Sequence, residues 1–170
     1  MSIRTVKSLS FDDYRSELGI KAWVAAARVT DAPRTRRGIS EALKFFQANM
    51  RALSPARALE FLRCMDLSKP VAIVTLLPGE RIIGYRGPAE SQFKLFFSRS
   101  GRSVQSLGVN PTDRRFVSFN VRAPAPALES TASPAKDTWS LPREYMANGG
   151  ATQLLLPNSF ATLLVEHDSA

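Results

Sequence analysis

Three short stretches of the sequence combine residues that can bind phosphate or a ribose with glycines that let a ligand approach the backbone. They are Gly84-Tyr85-Arg86-Gly87, Phe96-Phe97-Ser98-Arg99-Ser100-Gly101-Arg102-Ser103 and Asn148-Gly149-Gly150-Ala151-Thr152-Gln153. An arginine grips phosphate through two parallel hydrogen bonds, and glycine removes the Cβ that would hold a ligand away. Each stretch also has a plainer interpretation. These are a turn with a surface arginine, a strand end with a solvated turn, and a glutamine at the wet end of a strand.

The glutamine of the third stretch stands at the start of an otherwise apolar run. Gln153 is followed directly by Leu154-Leu155-Leu156. Because an unpaired buried amide costs about 1–3 kcal/mol, we expect this side chain to be hydrogen-bonded or to line a cleft.

Residue counts exclude several other kinds of chemistry. The chain has 170 residues with one cysteine and one histidine, Cys64 and His167. An internal disulfide is therefore excluded, and a Cys/His metal cluster or a Ser-His triad is disfavoured. We expect no bound metal. No apolar run approaches the about 18 residues needed to span a bilayer, and the first residues contain no hydrophobic signal segment.

The net charge of +8 lies mostly in the front of the chain. Residues 1–70 contain 13 basic and 7 acidic residues, and the densest basic cluster is Arg34, Arg36 and Arg37. We place this cluster in a loop, where it would attract nucleic acid, a membrane surface or an acidic protein. Aromatic residues are not interleaved with it, so nucleic-acid binding is disfavoured.

The periodicity divides the chain into a helical front and a strand-rich remainder. We expect helices over residues 11–29, after Ser40, and from Ser54-Pro55 to about Met65, the last with a serine cap and a proline at its first position. Beyond Pro70 the run VAIVTLL predicts a buried strand, and Leu77-Pro78-Gly79-Glu80 predicts a turn. RIIGYRG, FKLFFS, RFVSFNVRA and ATQLLLP predict further strands.

Residues 123–148 contain four prolines and are expected to be irregular, with APAPALESTASPA as a flexible loop. Helices followed by short strands indicate an α+β fold. We expect a helical region over residues 1–69 and a β-rich core over residues 70–170.

Taken in order over residues 77–165, these stretches resemble the bacterial NAD glycohydrolase toxins, a family with the tuberculosis necrotizing toxin and NAD-degrading type VI secretion effectors. The segments that carry the resemblance are LPGERIIGYRG, LFFSRSG, FVSFNVRAPAP, STASPAKDTWS and GGATQLLLPNSFATLL. The GGATQ element is the most specific. The resemblance implies an ADP-ribosyltransferase-like split β-core with a cleft for NAD, preceded by a small helical region, and a helix that closes the chain after the last apolar strand.

The resemblance also implies roles for residues of this chain. Arg86 matches the first-motif arginine, expected to hold the NAD pyrophosphate, and Gln153 matches the glutamine near the scissile nicotinamide–ribose bond. Phe96, Phe97 and Ser98 match the motif that lines the nucleotide. The remaining residues expected around the substrate are Tyr85, Gly87, Arg102, Gly150 and Thr152.

Two positions depart from the family pattern. Tyr85 stands where the family often has aspartate, and Gln105 stands where it often has a second arginine. Either Arg102 replaces that arginine, or Gln105 itself acts on the substrate. Asp137 and Glu144 are each either a carboxylate near the expected cleft or a surface charge. Neither the Glu-x-Glu nor the Gln-x-Glu pair of transferase relatives occurs in the sequence.

The expected activity is hydrolysis of NAD+ or NADP+ to nicotinamide and an ADP-ribose product, by a toxin of interbacterial competition. NAD+ would be the substrate, with no separate cofactor. Expected partners are an acidic immunity protein that occludes the cleft and a secretion adaptor or carrier. Secretion would not use a signal peptide, and the toxin would act in the target cell's cytoplasm. The alternatives are a mono-ADP-ribosyltransferase toxin and a basic module that binds nucleic acid or protein.

Overall fold

A computed structural model describes residues 32–50, 53–86, 96–99, 105–107, 115–137 and 145–167. The helix expected over residues 11–29 lies outside these residues. None of the helices in the described part is long and apolar enough to cross a membrane.

The first described helix, α1 (Ala32–Asn49), begins earlier than the sequence predicts. The prediction of a loop around Arg34, Arg36 and Arg37 is wrong, because these three residues lie within the first two turns of α1 and are exposed. Pro33 does not prevent this. It is in the first turn, where a helix makes no use of the N–H group that proline lacks.

The second helix, α2 (Pro55–Arg63), confirms the predicted restart. The Ser54 side chain accepts a hydrogen bond of 3.2 Å from the Arg57 N–H, which satisfies one of the free donors of the first turn. Cys64 caps the other end of the helix.

Nine strands follow in the described part of the chain, and most of them lie in two antiparallel sheets. The first strands are β1 (Ala72–Leu76), β2 (Arg81–Arg86), β3 (Phe96–Phe97), β4 (Arg115–Val121) and β5 (Ala125–Thr131). The others are β6 (Ala135–Asp137), β7 (Tyr145–Ala147), β8 (Thr152–Leu155) and β9 (Leu164–His167). One sheet has the order β1-β5-β8-β3, the second has the order β2-β4-β9, and β6 pairs with β7.

These elements confirm an α+β fold with antiparallel sheets. The predicted turn between β1 and β2 and the strands around residues 81–86, 115–121 and 152–155 are confirmed. Of the predicted strand FKLFFS, the described part is β3 and Ser98, which makes a bridge to Ile83. A 3-10 helix, η2 (Asn158–Leu163), follows β8 and leads into β9, so the helix implied at the end of the chain is replaced by a 3-10 turn and a strand.

Two predictions about strands are wrong. The strand β1 is not buried, because it lies at the end of the four-stranded sheet, where Ile73 is 44% exposed. The segment expected to be a flexible loop forms β5, which pairs with β1 and β8. Pro126 is tolerated there because it is opposite Thr75 of β1, before the pairing with β8 begins at Leu128.

Two hydrophobic clusters, one on each face of the four-stranded sheet, form the core. The helix cluster joins α1 and α2 to Leu128 and Leu155 of the sheet. The inter-sheet cluster joins the opposite face of that sheet to β2, β4 and β9. On β4 the residues Val117, Phe119 and Val121 all enter the inter-sheet cluster, which confirms the predicted alternation. The division at residues 69 and 70 stays a prediction.

Candidate active site

The first stretch lies at the end of β2, where Arg86 is the last residue of the strand. The strand register pairs Arg86 with Arg115 of β4. Gly87 lies outside the described residues. The fold therefore puts the expected pyrophosphate-binding arginine at an end of the three-stranded sheet.

Tyr85 precedes Arg86 and so belongs to the opposite face of β2. Its ring is half-buried, and this burial raises the pKa of its hydroxyl above the usual 10.0. Tyr85 is therefore a neutral phenol at neutral pH. It can donate or accept a hydrogen bond but carries no charge for binding phosphate.

The first three residues of the second stretch pack into the core, and Ser100 to Ser103 lie outside the described residues. Phe97 is 4% exposed and packs edge to face with Phe119, with ring centroids 5.7 Å apart. Phe96 is on the other face and contacts Phe61 of α2 at 5.9 Å. Ser98 is buried, and its backbone exchanges hydrogen bonds of 2.7 and 2.8 Å with Ile83. These residues leave little surface for a nucleotide, and their role in substrate binding stays a prediction.

The third stretch meets a short 3-10 helix, η1 (Gln105–Leu107). The Ala151 N–H donates a 2.9 Å hydrogen bond to the Ser106 carbonyl, so the backbones of Gln105 and the GGATQ element lie close together. Gly150 and Thr152 are exposed beside this contact. This is the part of the expected site that the described backbone brings together.

Gly149 has a structural reason to be glycine. Its φ is +67°, and an added Cβ would lie 2.6 Å from the Ala132 carbonyl oxygen and from backbone atoms of Ser133. Gly150 also has a positive φ of +94°, but a Cβ there would meet nothing within 4 Å. Close backbone approach at Gly149 seats the GGATQ element against the end of β5.

Gln153 is buried on the helix-facing side of β8, at 3% exposure. Its Nε2 donates to the Cys64 carbonyl at 2.8 Å and to the Ser130 hydroxyl at 3.3 Å. Both amide hydrogens are therefore engaged by the protein, as the expectation for a buried amide requires. The Nε2 atom of this side chain is therefore not available to a substrate.

Arg86 and Gln153 belong to different parts of the two sheets. The bridge between Ile83 and Ser98 and the pairing of Phe97 with Leu154 set the relative positions of β2, β3 and β8. Arg86 lies three residues beyond Ile83, about 10 Å along the strand, and β3 stands between β2 and β8. A ligand that reached both residues would have to be extended, as a dinucleotide is.

An ion cluster on Arg99 was not found from the sequence. Its Nη1 lies 2.8 Å from Glu80 Oε1, and its Nε lies 3.4 Å from Glu129 Oε2. The second oxygen of Glu80 accepts a hydrogen bond from the Leu77 N–H in the turn before β2. Sequence reasoning counted Arg99 only as part of a polar loop, and its partners are 19 and 30 positions away, so spacing gave no signal.

The structure describes less of the other expected site residues. Arg102 and Glu144 lie outside the described residues. Asp137 ends β6 opposite Tyr145, and its side chain is not described. Within the described ranges, no three His, Cys, Asp or Glu side chains gather in a way that could hold a metal ion.

With this geometry in place, the family model for Bacterial toxin 46, Ntox46, matches residues 27–160, most of the chain. The chain belongs to this family of bacterial toxins. The match begins before α1, so both described helices are part of what the family shares.

One toxin is similar to this chain both in sequence and in structure. The NAD(P)(+) glycohydrolase toxin Tse6 of Pseudomonas aeruginosa is 32% identical over 124 residues, which are 66% of this chain and 28% of that protein. The chain thus matches little more than a quarter of this relative. The solved structure of Tse6 in complex with Tsi6 has a TM-score of 0.64 and 26% identity, and the match covers 79% of this chain and 96% of that one. A complex of Rhs1-CT with its cognate immunity protein RhsI1 matches at a TM-score of 0.40, 22% identity, 58% of this chain and 78% of that one.

Proposed function

We propose that this chain is a toxin domain that hydrolyses the bond between nicotinamide and ribose in NAD+ or NADP+. The observation that carries the proposal is the likeness to Tse6, an NAD(P)(+) glycohydrolase toxin, over nearly the whole of the solved Tse6 chain. Membership of the Bacterial toxin 46 family supports the same reading.

The reaction suits the residues available. Nicotinamide leaves NAD+ as a neutral ring, so its departure needs no strong acid, and the barrier lies in the positive charge that develops on the ribose. In the reaction the C1′–N bond breaks, and water adds to C1′ and loses a proton to solvent. A site accelerates this step by fixing the substrate, orienting the water and excluding other water.

The three expected catalytic residues each have a role in this scheme. Arg86 would bind the pyrophosphate, and Gln105, beside the GGATQ backbone, would orient the ribose or the attacking water. Gln153 would contribute through Oε1, because Nε2 is bonded to Cys64 and Ser130. No metal or separate cofactor takes part. The two packed sheets would correspond to the split β-core of ADP-ribosyltransferase-like folds.

The same proposal extends to partners and place of action. The structure that this fold resembles is a complex of Tse6 with Tsi6, which supports a dedicated protein partner for this chain. We propose an acidic immunity protein, because the chain carries a net charge of +8. Delivery would use an adaptor or carrier, and NAD would be consumed in the cytoplasm of the target cell.

The test follows nicotinamide release from NAD+ and from NADP+ by the purified chain. We expect rapid release, and we expect Arg86→Ala to slow it at least tenfold. Arg122→Ala is the matched control, because Arg122 is an exposed arginine outside the expected site. No release at high enzyme concentration would contradict the proposal, and transfer of labelled ADP-ribose to lysate proteins would favour the transferase instead.

A further inference from the structure

The hydroxyl of Ser118, on the middle strand of the three-stranded sheet, is buried and unpaired. Within the described ranges it is the buried side-chain group that has no hydrogen-bond partner. Ser118 is 8% exposed, and a buried hydroxyl without a partner costs free energy that an alanine would not cost. The free fold therefore gives no reason for a serine at this position. A ligand that forms a hydrogen bond with the hydroxyl would give one.

Strand register places Ser118 in one row with two of the expected site residues. Ser118 is opposite Ile83 of β2, and Ile83 makes a bridge to Ser98. The register of β3 and β8 then puts Ser98 opposite Gln153, which is paired with Ser130 of β5. Residues opposite each other share one face of a sheet. Ser118 therefore lies on the face that carries Ser98 and Gln153.

The far end of this row shows how the fold treats its other buried polar groups. Gln153 and Ser130 are buried more deeply than Ser118. Even so, Gln153 Nε2 donates to the Cys64 carbonyl at 2.8 Å and to the Ser130 hydroxyl at 3.3 Å. One end of the row is thus satisfied by the protein itself, whereas the end at Ser118 is not. This difference directs attention to a ligand at the Ser118 end.

The length of the row fits an extended ligand. Neighbouring strands are about 4.8 Å apart, and Ser118 is three strands from Gln153, so their backbones are separated by about 14 Å along the row. Tyr85, two residues after Ile83, is half-buried on the same face. The face therefore carries hydroxyl and amide groups spread over the length of a dinucleotide.

We propose that the Ser118 hydroxyl binds a hydroxyl of the adenosine ribose of the substrate. The inference rests on the proposed function, in which Gln153 is beside the nicotinamide ribose. A group three strands from Gln153 meets the other half of an extended dinucleotide. A serine hydroxyl both donates and accepts hydrogen bonds, as a ribose hydroxyl does. Its χ1 angle has three staggered positions, so the oxygen can turn towards a ligand on this face.

Binding of ADP-ribose tests this without requiring turnover. Calorimetry compares the unchanged chain with Ser118→Ala and with the matched control Ser133→Ala, whose hydroxyl donates to the Arg63 carbonyl. We expect Ser118→Ala to weaken ADP-ribose binding about 5–30-fold, and Ser133→Ala to leave it within about twofold. Unchanged affinity in Ser118→Ala, an equal loss in Ser133→Ala, or no binding of ADP-ribose to the unchanged chain would overturn the proposal.

Nicotinamide mononucleotide, which lacks the adenosine half, tests the position of the contact. We expect Ser118→Ala to bind it as the unchanged chain does. A loss as large as the loss for ADP-ribose would overturn the assignment of Ser118 to the adenosine ribose.

Thermal unfolding separates binding from a structural role. Because the hydroxyl is unpaired in the free fold, Ser118→Ala should keep or raise the melting temperature and lose part of the increase that ADP-ribose gives. Ser133→Ala should lower the melting temperature and keep that increase. A lowered melting temperature in free Ser118→Ala, with the ADP-ribose increase retained, would overturn the proposal and assign the hydroxyl a structural partner.

Kinetics then distinguish this inference from the proposed function. We expect Ser118→Ala to raise KM for NAD+ with a smaller effect on kcat. If NAD+ is not hydrolysed but ADP-ribose binding still requires Ser118, the glycohydrolase proposal fails and the Ser118 contact stands. If NAD+ is hydrolysed and Ser118→Ala changes neither KM nor ADP-ribose affinity, the contact fails and the glycohydrolase proposal stands.

Discussion

The two faces of the four-stranded sheet are held by polar contacts of opposite character. On the helix-facing side, Gln153 donates to Cys64 at 2.8 Å, and the Ser133 hydroxyl donates to the Arg63 carbonyl at 2.6 Å. We call this group of neutral contacts the junction. On the other side Arg99 bridges two carboxylates, with 41% of its side chain exposed. We call this group the ion cluster.

The difference between the junction and the ion cluster shows which part of the third stretch is structural. Buried amide and carbonyl groups that lose a partner cost about 1–3 kcal/mol, whereas exposed ion pairs contribute about 0–1 kcal/mol. The junction connects the end of α2 to β5 and β8, so the GGATQ element contributes to stability whatever it does to a substrate. Loss of activity on changing this element therefore has to be read together with stability.

The two adjacent glycines give the sharpest test of the junction. Gly149→Ala places a Cβ 2.6 Å from backbone atoms of Ala132 and Ser133, while Gly150→Ala meets open space. Both variants carry the cost of a positive φ, about 1–3 kcal/mol, and overpacking adds about 1–3 kcal/mol at Gly149 alone. Urea unfolding should show Gly149→Ala as much the less stable of the two. Equal losses would mean that close packing at Gly149 does not hold the junction.

The glutamine itself gives the next largest effect. Gln153→Leu removes both donors and leaves the Cys64 carbonyl with one fewer partner, so we expect the free energy of unfolding to fall by about 1–3 kcal/mol. Ser133→Ala is the control, because it removes a neighbouring hydrogen bond of the junction without touching an expected site residue. If Gln153→Leu abolished nicotinamide release with no loss of stability, while Ser133→Ala kept both, Gln153 would act on the substrate alone.

Local patterns were sufficient for much of the fold. The Ser54-Pro55 start of α2, the turn before β2 and the alternation of β4 follow from capping, turn chemistry and the two-residue strand period. The loop predicted around Arg34 was wrong because proline and clustered charge suggest a break, yet both are compatible with the first turns of a helix. The loop predicted over β5 was wrong because Pro126 lies where only one neighbouring strand is paired.

The candidate site depended on contacts that sequence spacing does not encode. A glutamine in an apolar run predicted a hydrogen-bonded or cleft-lining amide, but its partners, Cys64 and Ser130, are 89 and 23 positions away. The pairing of Arg86 with Arg115 depends on strand register. The segment between these strands, which contains β3 and η1, is too long for that register to be read from a turn type. Resemblance to a toxin family supplied the expected roles.

The smallest expected effect concerns the ion cluster. Arg99→Ala removes both ion pairs, but because the side chains are partly exposed we expect a loss of only about 0.5–1 kcal/mol, and less at 1 M salt, where charges are screened within about 3 Å. Arg99→Lys keeps the charge and is the matched control. Urea unfolding at low and high salt measures the difference. A loss as large as that of Gln153→Leu, and independent of salt, would show that the ion cluster holds its face of the sheet as firmly as the junction holds the other.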